Sequence, residues 1–398
     1  MLSAAQKLWR HGLDLLPLEG FFFDRPLVVL QSDDWGRAGL RDQPGLDRLR
    51  AEGLVMGERP YDLYTLETAE DLAGLQALLN RHRDSTGRTA CLGMNFMVVN
   101  LDLAKMEAGD FRQVHLWPLA DGLPEGWSRP GLLGAYRDGI KDNSFYPQLH
   151  GMTHFCRGAV ERELLATGDR TSLLRTMWQA GTPYVHWRMP WIGYEYWDSQ
   201  MPRDERFLAA RSQQELIGQA VGLFSKLFAT LPQSACAPGY RANDDTHRAW
   251  AQYGVRVAQN GPGTFTPPHF DQHGILNLYR NVEFEPAADP TFSVETCLHS
   301  AQACFERSVP AIVSVHSVNF HSSVSGFRER TLGLLDDFLS ALESRHPDLL
   351  YLCDNELLQL IEKGFCQTPQ GNMEINVTRK KFTRRNVERG VGQRQKTG

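Results

Sequence analysis

Two carboxylates stand side by side at Asp33 and Asp34, in the stretch LVVLQSDDWG that runs from residue 27 to 36. An apolar run that ends in adjacent like charges repels itself unless a cation offsets them. Two imidazoles follow at His150 and His154, in HGMTH. On an extended strand that spacing leaves them about 13 Å apart. A helical turn entered at Gly151 brings them to about 5–6 Å on one face, close enough to share an ion. With Asp34 as third ligand, two His and one carboxylate make an open catalytic site with a water in the remaining position. The other carboxylate, Asp33, can then remove a proton from that water. A further imidazole, His316 in IVSVHSVNFHS, ends another apolar run and can protonate a leaving amine; His321 is a weaker candidate for the same task. CAPGYR, residues 236–241, marks a tight turn whose N–H groups at Gly239 or Tyr240 can hold an oxyanion.

Groups this far apart in sequence meet only if rigid elements deliver them. Strands are expected at 27–32, 91–99, 145–150, 234–240, 255–260, 275–284, 311–317 and 349–353. Helices are expected at 68–83, 205–229, 243–253, 293–306, 328–345 and 354–363. Alternation of this kind predicts an α/β fold with a mainly parallel sheet, buried on both faces where the strands are continuously apolar. Seven or eight such units would close a barrel. Reactive groups then belong at the carboxyl ends of strands, where Asp33, Asp34, His150 and His316 fall. Residues 155–200 break the rhythm with a polar helical pattern followed by YVHWRMPWIGYEYWD, an inserted helical subdomain or a lid. The expected organisation is an N-terminal helical segment over 1–25, a barrel over 26–365 with an insertion at about 155–205, and a basic, disordered tail over 366–398.

With 42% hydrophobic and 22% charged residues among 398, the chain has the composition of a soluble globular protein. A net charge of -5 argues against nucleic acid as partner. The exception is 379–396, with eight Lys or Arg and one acid. Seven scattered Cys without a Cys-x-x-Cys signal neither a disulfide framework nor a zinc ribbon, and point to a reducing, cytoplasmic location. No secretory leader pattern and no apolar run of transmembrane length is read in the sequence.

Taken in order, these stretches resemble the polysaccharide deacetylase family (NodB homology) over roughly residues 25–360. QSDDWG resembles its first motif, which implies Asp33 as base and Asp34 as metal ligand. HGMTH resembles its metal motif, implying His150 and His154. CAPGYR resembles its third motif, implying an oxyanion hole with a backbone N–H near Tyr240. IVSVHSVNFHS resembles its last, implying His316 as acid. SDDWG, FYPQLHG, RNVEFEP and HSVNF together resemble a polysaccharide deacetylase-like branch. The resemblance implies a distorted (β/α)7 barrel, one divalent metal ion, usually Zn2+, and hydrolysis of the N-acetyl group of a sugar or glycan precursor. On that reading Trp35, Asn95, Arg241 and Asn319 bind substrate, with Phe96, Trp187, Trp191 and Tyr194 as further sugar contacts. Two features depart from the family. The Arg that precedes the Pro of the third motif and orients the base is replaced here by Ser234, Ala235 and Cys236, with Arg241 only after the turn. The acidic partner of the acid His is not evident. Arg280, Asn281 and Glu285 of RNVEFEP are open to substrate, supporting or purely structural roles. The alternatives are a non-catalytic carbohydrate-binding relative and a hydrolase of a small non-sugar amide.

Overall fold

The computed structural model describes residues 17–261 and 265–383. Seven strands form its centre: β1 (Leu27–Trp35), β2 (Leu92–Phe96), β3 (Phe145–Leu149), β4 (Ser234–Cys236), β5 (Val257–Asn260), β6 in two pieces (Leu276–Tyr279 and Val282–Glu283) and β7 (Ala311–His316). Every residue of β1 is buried, which explains why its sequence is a continuous apolar run rather than an alternation. The strands are parallel in the order β7-β1-β2-β3-β4-β5-β6. The first piece of β6 pairs with β5, Leu276 opposite Val257, and the second pairs with β7, Val282 opposite Val313. Between them Asn281 takes over the ladder: its N–H donates to Ile312 O at 3.1 Å, while its Oδ1 accepts from Ile312 N at 2.8 Å. One broken strand thus joins both edges, and the sheet is a distorted (β/α)7 barrel.

Helices at Ala69–Leu79, Ala210–Phe228, Asp244–Gln252, Val294–Phe305, Arg328–Arg345 and Asp354–Lys363 fall where the periodicity puts them. The first opens on a capping box: Thr68 Oγ1 accepts from Asp71 N, and Asp71 Oδ2 accepts from Thr68 N. The helix Gln43–Ala51 was hidden by Pro44–Gly45, which reads as a turn. Here Pro lies in the first helical turn, where it costs no hydrogen bond, behind an Asp42 cap on Gly45 N at 2.8 Å. Among the described residues no helix is long and apolar enough to cross a membrane.

The barrel interior is polar where branched aliphatics would be usual. Gln31, Gln148 and Gln259 donate to the buried carboxylate of Asp354 at 2.7, 2.9 and 2.8 Å, joined by Ser234 Oγ at 2.5 Å. A fully bonded network of this kind rigidifies the floor beneath the strand ends.

The insertion contains helices Arg157–Leu165 and Asp169–Gln179 and then short helical turns. It packs a second apolar core, with Val160, Leu164, Leu174 and Trp178 against Leu46, Leu49 and Phe111.

Both termini differ from expectation. Leu18–Phe23, inside the expected helical segment, is a strand paired antiparallel with Val377–Phe382, inside the expected tail. Phe21 and Phe23 are buried, while Arg379 and Lys380 lie over the rings of Phe21 and Phe22. Arg379–Lys381, the described start of the basic run, therefore lie exposed on a ribbon where the stems of Arg379 and Lys380 cover aromatic rings. Phe365–Thr368 and Gly371–Glu374 form a hairpin before it. Residues 1–16 and 384–398, which carry the rest of both expectations, lie outside the described residues.

Candidate active site

The double Asp resolves at a break in β1. Its register with β2 shifts between Ser32 and Trp35, and Asp34 adopts φ +73°. A left-handed residue in a bulge turns Asp34 toward the cavity that Asp33 faces, instead of the opposite side of the sheet. Such a conformation costs of order 1 kcal/mol or more in a non-glycine residue and is tolerated best by Asp and Asn. Glu67 holds the turn from behind, accepting from Gly36 N at 2.9 Å.

Asp34 Oδ1 lies 3.6 Å from His150 Nε2 and 3.5 Å from His154 Nε2. It is buried and has no hydrogen-bond partner. Ligands bound tetrahedrally at about 2.1 Å stand about 3.4 Å from one another, so both separations from this unsatisfied oxygen match metal-ligand spacing, and the three donor atoms lie within 4.8 Å of one another. His150 Nδ1 meets Cys236 O at 2.8 Å, which fixes the tautomer and leaves the Nε2 lone pair facing Asp34. Burial holds His154 well below the usual imidazole range, with Arg37 and His186 adding to it against the pull of Asp34. The ring is neutral, as a ligand must be. For Asp34 burial opposes ionisation, but the Arg37 guanidinium beside it leads the opposing pull, and the carboxyl is held below the usual carboxylate range. Arg37 Nη1 takes Asp34 Oδ2 at 2.9 Å and lies between the rings of Tyr64 and Tyr184. One oxygen is thus committed and the other left for an ion.

Asp33, His150 and Cys236 form a second close trio, but a poor one. Both Asp33 oxygens are engaged by Arg280, and burial pushes the Cys236 thiol far above its usual range.

The expected helical turn at Gly151 does not form. HGMTH is an irregular loop in which Gly151 has φ +88°, and the imidazole rings meet at 5.4 Å. The clamp is Glu195 from the insertion, which accepts from Met152 N at 2.8 Å and Thr153 N at 3.3 Å. A Cβ at position 151 would come within 2.0 Å of Glu195 Oε2, so glycine is required there. Glu195→Ala is expected to weaken Zn2+ affinity about 10- to 100-fold, the effect typical of removing support behind ligands. Titration of the metal-free protein would show it, and an unchanged affinity counts against the clamp.

Asp33 is held by Arg280 through two bonds of 2.6 Å, with Asn95 Nδ2 on Oδ1 at 2.7 Å. Burial opposes its charge, but Arg280, with His316 adding to it, holds it well below the carboxylate range. Arg280 is completely buried and also meets Gln31, Gln259, Ser314 and the Tyr240 hydroxyl. Glu285 Oε2 sits 2.6 Å from His316 Nδ1. Burial disfavours the imidazolium, yet Glu285, Asp33 and Asp34 together raise His316 to about 9. His316 Nε2 faces Asp33 Oδ2 at 3.9 Å, beyond direct hydrogen bonding. Both groups that the sequence lacked at their expected places, the Arg beside the base and the acid beside the His, therefore come from RNVEFEP. The sequence leaves their roles open there, because the break in β6, which aims Arg280 inward, has no local signature.

Several expected contacts move to supporting positions. Trp35 is fully buried and stacks on Phe320, and Phe96 lies in the same core, so neither reaches a substrate. Asn95 is buried on Asp33. Asn319 is buried too, bonding Glu285 and accepting from Ala287 N at 2.9 Å. His321 is buried beside Glu67 and Tyr64, behind the cavity. Trp191 packs in the insertion's core. The Tyr240 N–H donates to Ala237 O at 2.8 Å, so it is not available to an oxyanion.

What remains is a cavity of about 450 Å³. Asp33, Asp34, His150, His154, His316, Tyr240 and Arg241 line its catalytic side. Tyr184, His186, Trp187, Tyr194 and Trp197 of the insertion form an aromatic wall.

No family model matches the chain, and no curated protein does. Solved structures similar to it include a candidate glycoside hydrolase/deacetylase from Parabacteroides distasonis (11% identity, 88% of this chain and 74% of that one, TM-score 0.48). A candidate polysaccharide deacetylase from Mycobacterium smegmatis is similar at 10% identity over 84% and 90%, with TM-score 0.44. So is a CE4 family pseudoenzyme from Bacillus anthracis, at 10% over 84% and 66%, with TM-score 0.37. Likeness at this level assigns no activity.

Proposed function

We propose that this chain is a metal-dependent hydrolase that removes an N-acetyl group from a sugar or glycan precursor. The observation that carries the reading is the convergence on one cavity of an unsatisfied Asp34 Oδ1 between two imidazoles with a held carboxylate, Asp33, opposite a held imidazolium, His316. Asp34, His150 and His154 suit Zn2+, whose chemistry when bound is to polarise an acyl oxygen and lower the pKa of water toward about 7. Asp33, ionised before the step and oriented by Arg280, accepts the proton of the attacking water. His316, protonated at neutral pH, donates to the departing amine. The aromatic wall excludes solvent and offers faces for a sugar ring. Mere binding would need neither the engaged base nor the engaged acid.

Measuring acetate released from N-acetylglucosamine oligomers by the Zn2+-loaded protein tests this. Asp33→Asn is expected to slow release by about 10²- to 10⁴-fold. Equal release by wild type and variant, or turnover confined to non-sugar acetamides, would overturn the proposal.

A further inference from the structure

The cavity holds more positive charge than its carboxylates use. Asp33 is matched by Arg280, Asp34 by Arg37, and His316 by Glu285. Arg241 also lines the cavity and is exposed; its backbone N–H donates to Pro238 O at 3.2 Å, but its guanidinium makes no ion pair or hydrogen bond with any described residue. Its guanidinium instead lies over the rings of Trp197 at 4.8 Å and Tyr194 at 5.8 Å. Asp33 and Asp34 are the only carboxylates among the lining residues, and a bound divalent cation would add to the positive excess.

A guanidinium held over aromatic rings without a hydrogen-bonded partner keeps its donors for a carboxylate or phosphate, which it can meet through two hydrogen bonds. The platform is itself fixed. Tyr194 packs on the turn before Arg241, so closely that a Cβ at Gly239 would lie 2.2 Å from its ring. A neutral acetamido sugar offers this arginine hydroxyl and carbonyl acceptors but no countercharge.

We propose that Arg241 forms an anion subsite and that the substrate is an N-acetyl sugar bearing a phosphate or carboxylate group. This rests on the deacetylase reading above.

The test compares kcat/KM of the Zn2+-loaded enzyme for N-acetylglucosamine 1-phosphate, N-acetylmuramic acid and neutral N-acetylglucosamine. Wild type is expected to favour one anionic sugar by about 10-fold or more, the two anionic arms separating phosphate from carboxylate. Arg241→Gln should reduce that preference about 10- to 100-fold, the range for losing a charged hydrogen-bonded pair, chiefly through KM. Arg241→Lys, which keeps the charge but not the fork, should retain part of it. Equal kcat/KM for anionic and neutral sugars would overturn the subsite. So would a loss in Arg241→Gln shared equally by all three substrates, which would make the residue a structural clamp on the aromatic wall. Should no sugar release acetate, the deacetylase reading fails separately. The subsite is then judged by calorimetric binding of the same three sugars to wild type and Arg241→Gln: a preference for the anionic ones that needs Arg241 supports it, and no such preference overturns it.

Discussion

Arg280→Met is expected to destabilise the protein by about 3–5 kcal/mol, the cost of leaving a buried charge without its partner, and to lower kcat/KM about 10²-fold or more. Asp33 is 2% exposed and Arg280 0%, so solvent compensates poorly for the lost guanidinium. The same change strips donors from Gln31, Gln259, Ser314 and Tyr240. Denaturant unfolding and steady-state kinetics read the two effects. A control separates them: adding Asp33→Asn removes the stranded charge, so the double variant should be more stable than the single costs add up to. Strict additivity, or an Arg280→Met protein as active as wild type, would remove Arg280 from the role given it here. Arg280→Lys should restore little activity, because an ammonium cannot hold both oxygens.

His316→Ala is expected to lower kcat by about 10²- to 10⁴-fold, the usual worth of a positioned proton donor, while leaving metal content unchanged. Its pH dependence follows from Glu285. The folded value of about 9 is raised above the ordinary imidazole range, so the donor form persists below about pH 9 and activity falls as pH rises through it. A bound cation opposes protonation, so the limb lies at or below that value. The stability supplied by the His316–Glu285 pair has the same sign. It is fully present below about pH 6.5, the unfolded value, and is lost as pH rises through about 9. Glu285→Gln should move the alkaline limb of the rate profile toward lower pH. A limb that stays in place would show that some other group sets it.

Much of the barrel was legible because its strands are buried on both faces and its helices carry cap residues or apolar periodicity. Helices beginning with Pro-Gly and strands whose outer faces are Lys and Arg were not, since local composition there opposes the structure that packing enforces. At the site, Asp33, Asp34, His150, His154 and His316 could be read because each ends or follows an apolar strand. Their partners could not. Arg37, Glu195, Arg280 and Glu285 act through tertiary pairing, and nothing in their immediate neighbourhood marks Arg280 as facing inward or Glu195 as folding back over HGMTH. Trp35 and Asn319, which lie inside the quoted motifs, were assigned to substrate together with Asn95 of the expected strand 91–99. Adjacent residues on a strand face opposite sides, and the rigid shell around a site is drawn from the same stretches as the site itself.

The central claim is that Asp34, His150 and His154 hold one divalent cation. The most direct measurement is elemental analysis of the Zn2+-reconstituted, exhaustively dialysed protein, with anomalous scattering from its crystals. About one ion per chain is expected, located between Asp34 Oδ1 and the two Nε2 atoms and lost in His154→Ala. No retained ion, or an ion seated elsewhere and indifferent to His154→Ala, would contradict it.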